Sequence, residues 1–106
     1  MRPIEFEILL ALAPGDRHGY AIIQDIEARR GGADSVETGT LYRALQRLVD
    51  DGLIRSVEPP GDVDADERRR YYRITSSGRG AAVAEARRMA GLLERARAAK
   101  LLSGGV

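Results

Sequence analysis

Apolar residues recur at helical spacing through the first third of the chain and predict two short helices. The first starts at Pro3, a residue suited to the first helical turn, and stops at Pro14-Gly15-Asp16. The second starts near His18 and stops at Gly31-Gly32. Its predicted inner face consists of Tyr20, Ile22, Ile23 and Ile26. Tyr20 is therefore expected in the core, as is Tyr72 further along the chain.

A third predicted helix is strongly amphipathic. It runs from about Thr38 to Asp51, and Gly52 is its C-terminal stop signal. One side is an apolar stripe of Leu41, Leu45 and Leu48. The opposite side is polar and consists of Gly39, Thr40, Arg43, Gln46 and Arg47. This pattern is typical of a helix that packs on the core through one face and presents the other to solvent.

Two predicted strands follow, because apolar and polar residues alternate over Leu53–Glu58 and Arg69–Ile74. Pro59-Pro60-Gly61 lies between them. An acidic stretch comes next, with Asp62, Asp64, Asp66 and Glu67. The pattern indicates a β-hairpin with a long, irregular tip.

The last predicted helix extends from Ser76 to Leu102, with Thr75 as its N-cap, and would be about 40 Å long. One side carries Val83, Ala86, Met89, Ala90, Leu93 and Ala96. A helix of this length is too long to be covered by such a small domain, so the stripe predicts a partner helix and a dimer interface. Packing of the stripe within its own subunit is the alternative.

The order of elements is typical of a winged helix-turn-helix. The predicted fold is mainly α with a small β-hairpin, followed by a long C-terminal dimerisation helix. Residues 1–75 would form the DNA-binding domain. Residues 76–106 would form the dimerisation helix and a frayed tail, all within one compact unit. In this arrangement the third helix enters the major groove of DNA and the hairpin lies along the phosphate backbone.

Composition narrows the possible functions. Hydrophobic residues make up 43% of the 106 residues, there is no cysteine, and His18 is the only histidine. We therefore expect no metal site, no cofactor and no enzyme activity, and we expect His18 to cap or pack at the start of the second helix. No apolar run approaches the length of a membrane span, and the lack of cysteine suits a reducing cytoplasm.

Charge is nearly balanced overall, at +1, but unevenly distributed. Residues 1–37 carry four basic and seven acidic side chains, whereas residues 76–106 carry six basic and two acidic ones. The first third of the chain is thus acidic and the last helix is basic. The near-neutral total and the acidic hairpin tip also favour an alternative function, a winged-helix module that binds protein rather than specific DNA.

Four motifs occur in order along residues 4–80. They are His18-Gly19-Tyr20, the run Gly39-Thr40-Leu41-Tyr42-Arg43-Ala44-Leu45, the run from Leu48 to Gly52-Leu53-Ile54, and Arg70-Tyr71-Tyr72-Arg73-Ile74-Thr75 with Gly78. Together they resemble the PadR family of transcriptional regulators. The single long C-terminal helix resembles the short subfamily. The sequence departs from the family at Arg43, where many members have proline, and in its acidic wing tip.

The resemblance implies a dimeric winged-helix repressor that binds a palindromic operator and is released by a small-molecule effector. In the short subfamily the last helix docks against the N-terminal region of the partner subunit. The chemistry of the side chains indicates which residues would contact double-stranded DNA, since arginine can read guanine and glutamine can read adenine. Tyr42 could either contact a phosphate or pack against the wing. The expected DNA-binding residues are Thr38, Thr40, Tyr42, Arg43, Gln46 and Arg47 on the third helix, and Arg68, Arg69 and Arg70 at the base of the wing.

Overall fold

The computed structural model describes residues 1–31, 35–59, 61 and 70–102. In chain order the elements are α1 (Pro3–Leu12), β1 (Arg17–His18), α2 (Gly19–Arg29), α3 (Thr38–Asp50), β2 (Ile54–Val57), β3 (Tyr71–Ile74) and α4 (Ser76–Ala98). The expected architecture, mainly α with a winged helix-turn-helix and a long last helix, is confirmed. Its helices begin where the sequence indicated, because the local signals at their ends are strong.

The hydrophobic core is built around α1, which packs against α2, α3, α4 and β3. The apolar stripes of α1, α2 and α3 meet there, and β2 and β3 close one side through Ile54, Tyr72 and Ile74. The largest side chains that are completely buried are Ile8, Leu9, Leu12, Ile22, Ile26, Leu41, Leu45, Leu48 and Ile54.

The expected hairpin is confirmed, since β2 pairs antiparallel with β3, and a third strand that was not expected extends the sheet in the order β1-β3-β2. The additional strand, β1, pairs Arg17 with Tyr72 and His18 with Tyr71. It is two residues long, so it carries no alternating pattern, and it is defined only by its pairing with β3. On the other edge, Arg55 of β2 lies directly opposite Arg73 of β3.

Tyr20 is not a core residue, contrary to expectation, because its side chain is 54% exposed while Tyr72 is 4% exposed. Residues two positions apart on a helix point about 200° away from each other, so Tyr20 turns outward when Ile22 turns inward. Its ring stacks on His18 instead, with 6.5 Å between ring centroids.

The ends of α3 and α4 have the same geometry but differ in how well the sequence predicted them. Gly52 ends α3 with φ +74°, and Lys100 follows α4 with φ +61°. In both, the backbone N–H of the next residue reaches back five positions, from Leu53 to Leu48 and from Leu101 to Ala96. Lysine gives no stop signal in the sequence, so the expected end at Leu102 is wrong and α4 ends at Ala98.

Candidate nucleic-acid interface

The polar face of α3 is the first candidate surface. Arg43 and Gln46 are exposed there, opposite the buried stripe of leucines. The Arg43 guanidinium donates to Thr40 Oγ1 at 3.4 Å and forms no ion pair within the described residues. Gln46 Nε2 donates to Asp50 Oδ1 at 2.9 Å. Among the described residues, Arg43 is thus an exposed cation without a carboxylate partner.

The first turn of α3 also presents polar groups. Thr38 is its exposed first residue, and Thr40 is half-buried one turn before Arg43. The Thr40 hydroxyl donates to Glu37 Oε2 at 3.5 Å. Glu37 therefore adds one acidic side chain beside the polar face, which otherwise carries Asp50 at its far end.

Arg47, also expected to read bases, is placed differently from Arg43. Its Nε donates to Glu5 Oε2 on α1 at 2.9 Å. The side chains of Arg47 and Glu5 are 34% and 14% exposed. Burial alone would raise the pKa of Glu5, but the hydrogen bonds and charges of Arg47 and Arg2 outweigh it, so this pKa lies below its ordinary value of 4.5.

An aromatic cluster lies where α2 meets α3 and the wing. His18 caps α2 as expected, because its Nδ1 accepts from the Ala21 N–H at 3.0 Å. The Tyr71 ring meets His18 edge-on, with 5.4 Å between centroids. Tyr42 is 45% exposed and lies against Gly19 at the start of α2. Tyr42 therefore packs on α2 and still presents part of its side chain to solvent.

The base of the wing is described only in part. Arg70 is exposed, whereas Arg68, Arg69 and the acidic tip lie outside the described residues. Arg73 forms two hydrogen bonds to Asp16, at 2.9 and 2.8 Å, which hold the pKa of Asp16 below its ordinary value of 3.8. Arg55, opposite Arg73 on the same outer face, was not among the expected site residues; strand alternation with the correct register would have identified it.

A second candidate surface is the apolar side of α4. Of the expected interface residues, Val83, Met89 and Leu93 are 48%, 41% and 49% exposed, Ala86 and Ala90 are exposed, and Ala96 is half-buried. Leu92 is 50% exposed beside them and was not expected. Together Met89, Leu92, Leu93 and Ala96 line one shallow apolar depression.

An open apolar groove of about 270 Å³ lies along the junction of α1 with the first half of α4. Its walls include Phe6 and Leu10 from α1 and Val83 and Ala86 from α4, and Arg79 lies at its edge. Arg79 donates to the Ala13 carbonyl oxygen at 2.8 Å, so its guanidinium caps the end of α1.

Other kinds of site find little support in the part of the chain that is described. No group of three or more histidine or acidic side chains there could hold a metal ion. None of the described helices is long and apolar enough to cross a membrane.

Comparisons with known proteins identify relatives at the levels of family, sequence and structure. The profile of the Transcriptional regulator PadR-like family matches residues 8–84. An uncharacterised protein from Lysinibacillus sphaericus is 39% identical over 72 residues, which make up 68% of this chain and 64% of that protein. The chain therefore spans less than two thirds of the length of this relative.

Solved structures show the same fold. A transcriptional regulator from Clostridium thermocellum superposes with a TM-score of 0.75 at 28% identity, covering 94% of this chain and 90% of that one. Bacillus subtilis PadR, crystallised with operator DNA, superposes with a TM-score of 0.67 at 24% identity, covering 80% of this chain and 47% of that one. At this lower identity the likeness concerns the fold alone.

Proposed function

This chain belongs to the PadR-like family of transcriptional regulators, and on that premise we propose that it binds a palindromic operator as a homodimer and represses transcription. The family is one of regulators, so the chain is a transcriptional regulator and not an enzyme. The observation that supports specific DNA binding is Arg43, an exposed cation in the middle of the polar face of α3. The cytoplasm, where DNA is accessible, is the proposed location.

The proposed DNA contacts divide into two groups by chemistry. On α3, Arg43 and Gln46 would meet base edges, because their forked donors and acceptors match guanine and adenine. Phosphates would be held by hydroxyls and cations around them, which position the protein without reading sequence. This second group is Thr38, Thr40 and Tyr42 on α3 and Arg55, Arg68, Arg69 and Arg70 in the wing. Bacillus subtilis PadR, which shares the fold, was crystallised with operator DNA.

The apolar side of α4 supports a homodimer. Its exposed residues Met89, Leu92 and Leu93 would be covered by the same helix of a second copy. A two-fold dimer would present two copies of α3 about 34 Å apart, which suits successive major grooves on one side of DNA. The groove between α1 and α4 is adjacent to this proposed interface and is the proposed effector site.

Fluorescence anisotropy of labelled duplexes tests the proposed function. The probes are DNA from upstream of the protein's own coding sequence and a random duplex, each measured at two salt concentrations. We expect specific binding to exceed random binding by at least about a thousandfold and to weaken as salt rises. A lack of binding to either duplex at low salt would contradict the proposal and favour the protein-binding alternative.

A further inference from the structure

Two arginines of α3, four residues apart, have different surroundings. Arg43 is exposed and donates a hydrogen bond to the Thr40 hydroxyl. Arg47 is only 34% exposed in its side chain and donates through Nε to the carboxylate of Glu5. Residues four apart on a helix differ by about 40° in direction, and here this offset turns Arg47 from the outer face toward α1.

Two hydrogen bonds hold the Glu5 carboxylate in place. Its Oε2 accepts from Arg47 at 2.9 Å, and its Oε1 lies 3.4 Å from the backbone N–H of Arg2, which donates to it at the start of α1. The Glu5 side chain is 14% exposed. If Arg47 swung out to reach a base, a largely buried carboxylate would lose its cation, and a buried charge without a partner is costly.

Reading guanine would also need the guanidinium to face the major groove. The planar guanidinium recognises guanine through a pair of donors directed at O6 and N7. In this structure the Nε edge of Arg47 is directed at α1 instead. The pair therefore joins α3 to the first turn of α1.

We infer that Arg47 is a positioning residue, which sets the orientation of α3 on α1 through Glu5, while Arg43 contacts the bases. This inference rests on the proposed function, since it assigns roles within the same DNA-binding surface. It removes Arg47 from the group of base readers and adds Glu5, an α1 residue outside the polar face of α3, to the residues that govern operator binding.

The test combines three measurements on Glu5→Ala, Arg47→Ala and the double variant. Each protein selects duplexes from a pool with a randomised core, which yields its base preference at every position, and its affinity is then measured for the duplex that the wild type prefers. Urea unfolding of the same proteins gives the interaction between the two side chains as a double-mutant cycle. Both variants that lack Glu5 also lose its hydrogen bond from the Arg2 backbone N–H, so this loss cancels in the cycle.

Two matched controls use the same helices. Glu7→Ala removes another α1 carboxylate, whose partner is Arg30 at the end of α2 at 2.8 Å rather than a residue of α3. Arg43→Ala removes the neighbouring arginine of α3. Circular dichroism verifies that each variant folds, and Glu5→Gln, which keeps the shape of the side chain, replaces Glu5→Ala if the latter unfolds.

We expect Glu5→Ala and Arg47→Ala each to lower affinity for the preferred duplex by about fivefold, with no further loss in the double variant. Base preference should stay unchanged at every position in these three proteins and in Glu7→Ala, and should relax at one position in Arg43→Ala. The inference is overturned if Arg47→Ala relaxes a base position while Glu5→Ala leaves affinity intact. A wild type that selects no motif would contradict the proposed function itself, which is a distinguishable result.

Discussion

Gly78 lies in the first turn of α4, where this helix packs against the turn that follows α3. The Thr75 N–H donates to the Leu53 carbonyl oxygen at 3.1 Å, and the Thr75 hydroxyl donates to the Gly52 carbonyl oxygen at 2.7 Å. A Cβ atom at position 78 would overlap the Leu53 carbonyl oxygen and approach Ile74 Cγ1 to 2.9 Å. Since a backbone oxygen cannot move aside cheaply, the close approach of the two segments requires glycine.

Gly78→Ala should therefore lower the free energy of unfolding by about 2 kcal/mol or more, through overpacking against backbone. Gly80→Ala is the matched control, because a Cβ there meets nothing within 4 Å. In the control we expect a gain of about 0.5–1 kcal/mol from the better helix propensity of alanine. Urea unfolding measures the stability of both variants. Equal stability of the two would contradict the expected overlap of a Cβ at position 78 with the Leu53 carbonyl oxygen.

Substitutions of Arg43 and of Arg55 should change DNA binding in different ways. Arg43→Ala should cost about 1–3 kcal/mol of binding free energy and relax one base position. Arg55→Ala should weaken all sequences alike and reduce the salt slope by about one. Anisotropy titrations against the preferred duplex, single-base variants of it and random DNA check both expectations. If Arg55→Ala changed base preference, its assignment to phosphate would be wrong.

At the scale of elements, α4 combines two environments along one apolar side. Near its start this side faces the core, where Ala82 is half-buried against the hydrophobic cluster. Beyond the domain the same side continues through Leu93, which is 49% exposed. With 23 residues and about 1.5 Å per residue, the helix extends well past the rest of the subunit. Because the apolar side of α4 continues past the core, a second copy of the chain is the proposed partner that covers it.

Leu93→Glu should convert the proposed dimer to monomers, because it would bury an unpaired carboxylate in an apolar interface. Ala84→Glu, on the opposite, exposed side of α4, should leave the dimer intact. Sedimentation velocity of the two variants and the wild type measures the difference. A wild type that sediments as a monomer would rule out the proposed interface.

At the scale of the whole molecule, acidic side chains near the N-terminus hold basic ones from distant segments. Glu5 pairs with Arg47 on α3, Glu7 pairs with Arg30 after α2, and Asp16 pairs with Arg73 on β3. These pairs use three arginines of the winged-helix region for internal contacts. The near-neutral net charge of +1 is consistent with a small number of cations left at the surface for phosphates.

The same pairs predict how stability depends on pH. The hydrogen bond from Arg73 lowers the pKa of Asp16, and the contacts of Arg47 and Arg2 lower the pKa of Glu5 despite its burial. A carboxyl with a lowered folded-state pKa stabilises the fold above its unfolded value, and this stabilisation is lost as pH falls through the folded value. We therefore expect the free energy of unfolding to fall below about pH 4.5.

The variant Asp16→Asn tests this pH dependence. It removes one of the two carboxyls, so its stability should change less between pH 5 and pH 3 than that of the wild type. Urea unfolding at these two pH values is the measurement. An identical pH dependence of the two proteins would show that the Asp16–Arg73 pair does not contribute.

Short-range physical chemistry accounts for what could be predicted from the residues alone. Helical periodicity, the Thr75 and His18 caps and the stop at Gly52 depend on neighbours a few positions away, so α1, α2, α3 and the start of α4 followed from the sequence. The amphipathic α3, with Arg43 and Gln46 outside, followed for the same reason. The family resemblance then connected these elements to a winged-helix regulator.

Contacts between distant segments account for the rest. β1 exists because it pairs with β3, more than fifty residues later in the chain. Glu5 and Arg47 are 42 residues apart, and no local pattern signals that one will hold the other. Arg55 and Arg73 come together through strand register, and Lys100 ends α4 in a conformation that glycine usually adopts. The sequence thus indicates which side chains are suited to meet DNA, and the packing of α1 on α3 directs one of them, Arg47, to Glu5 instead.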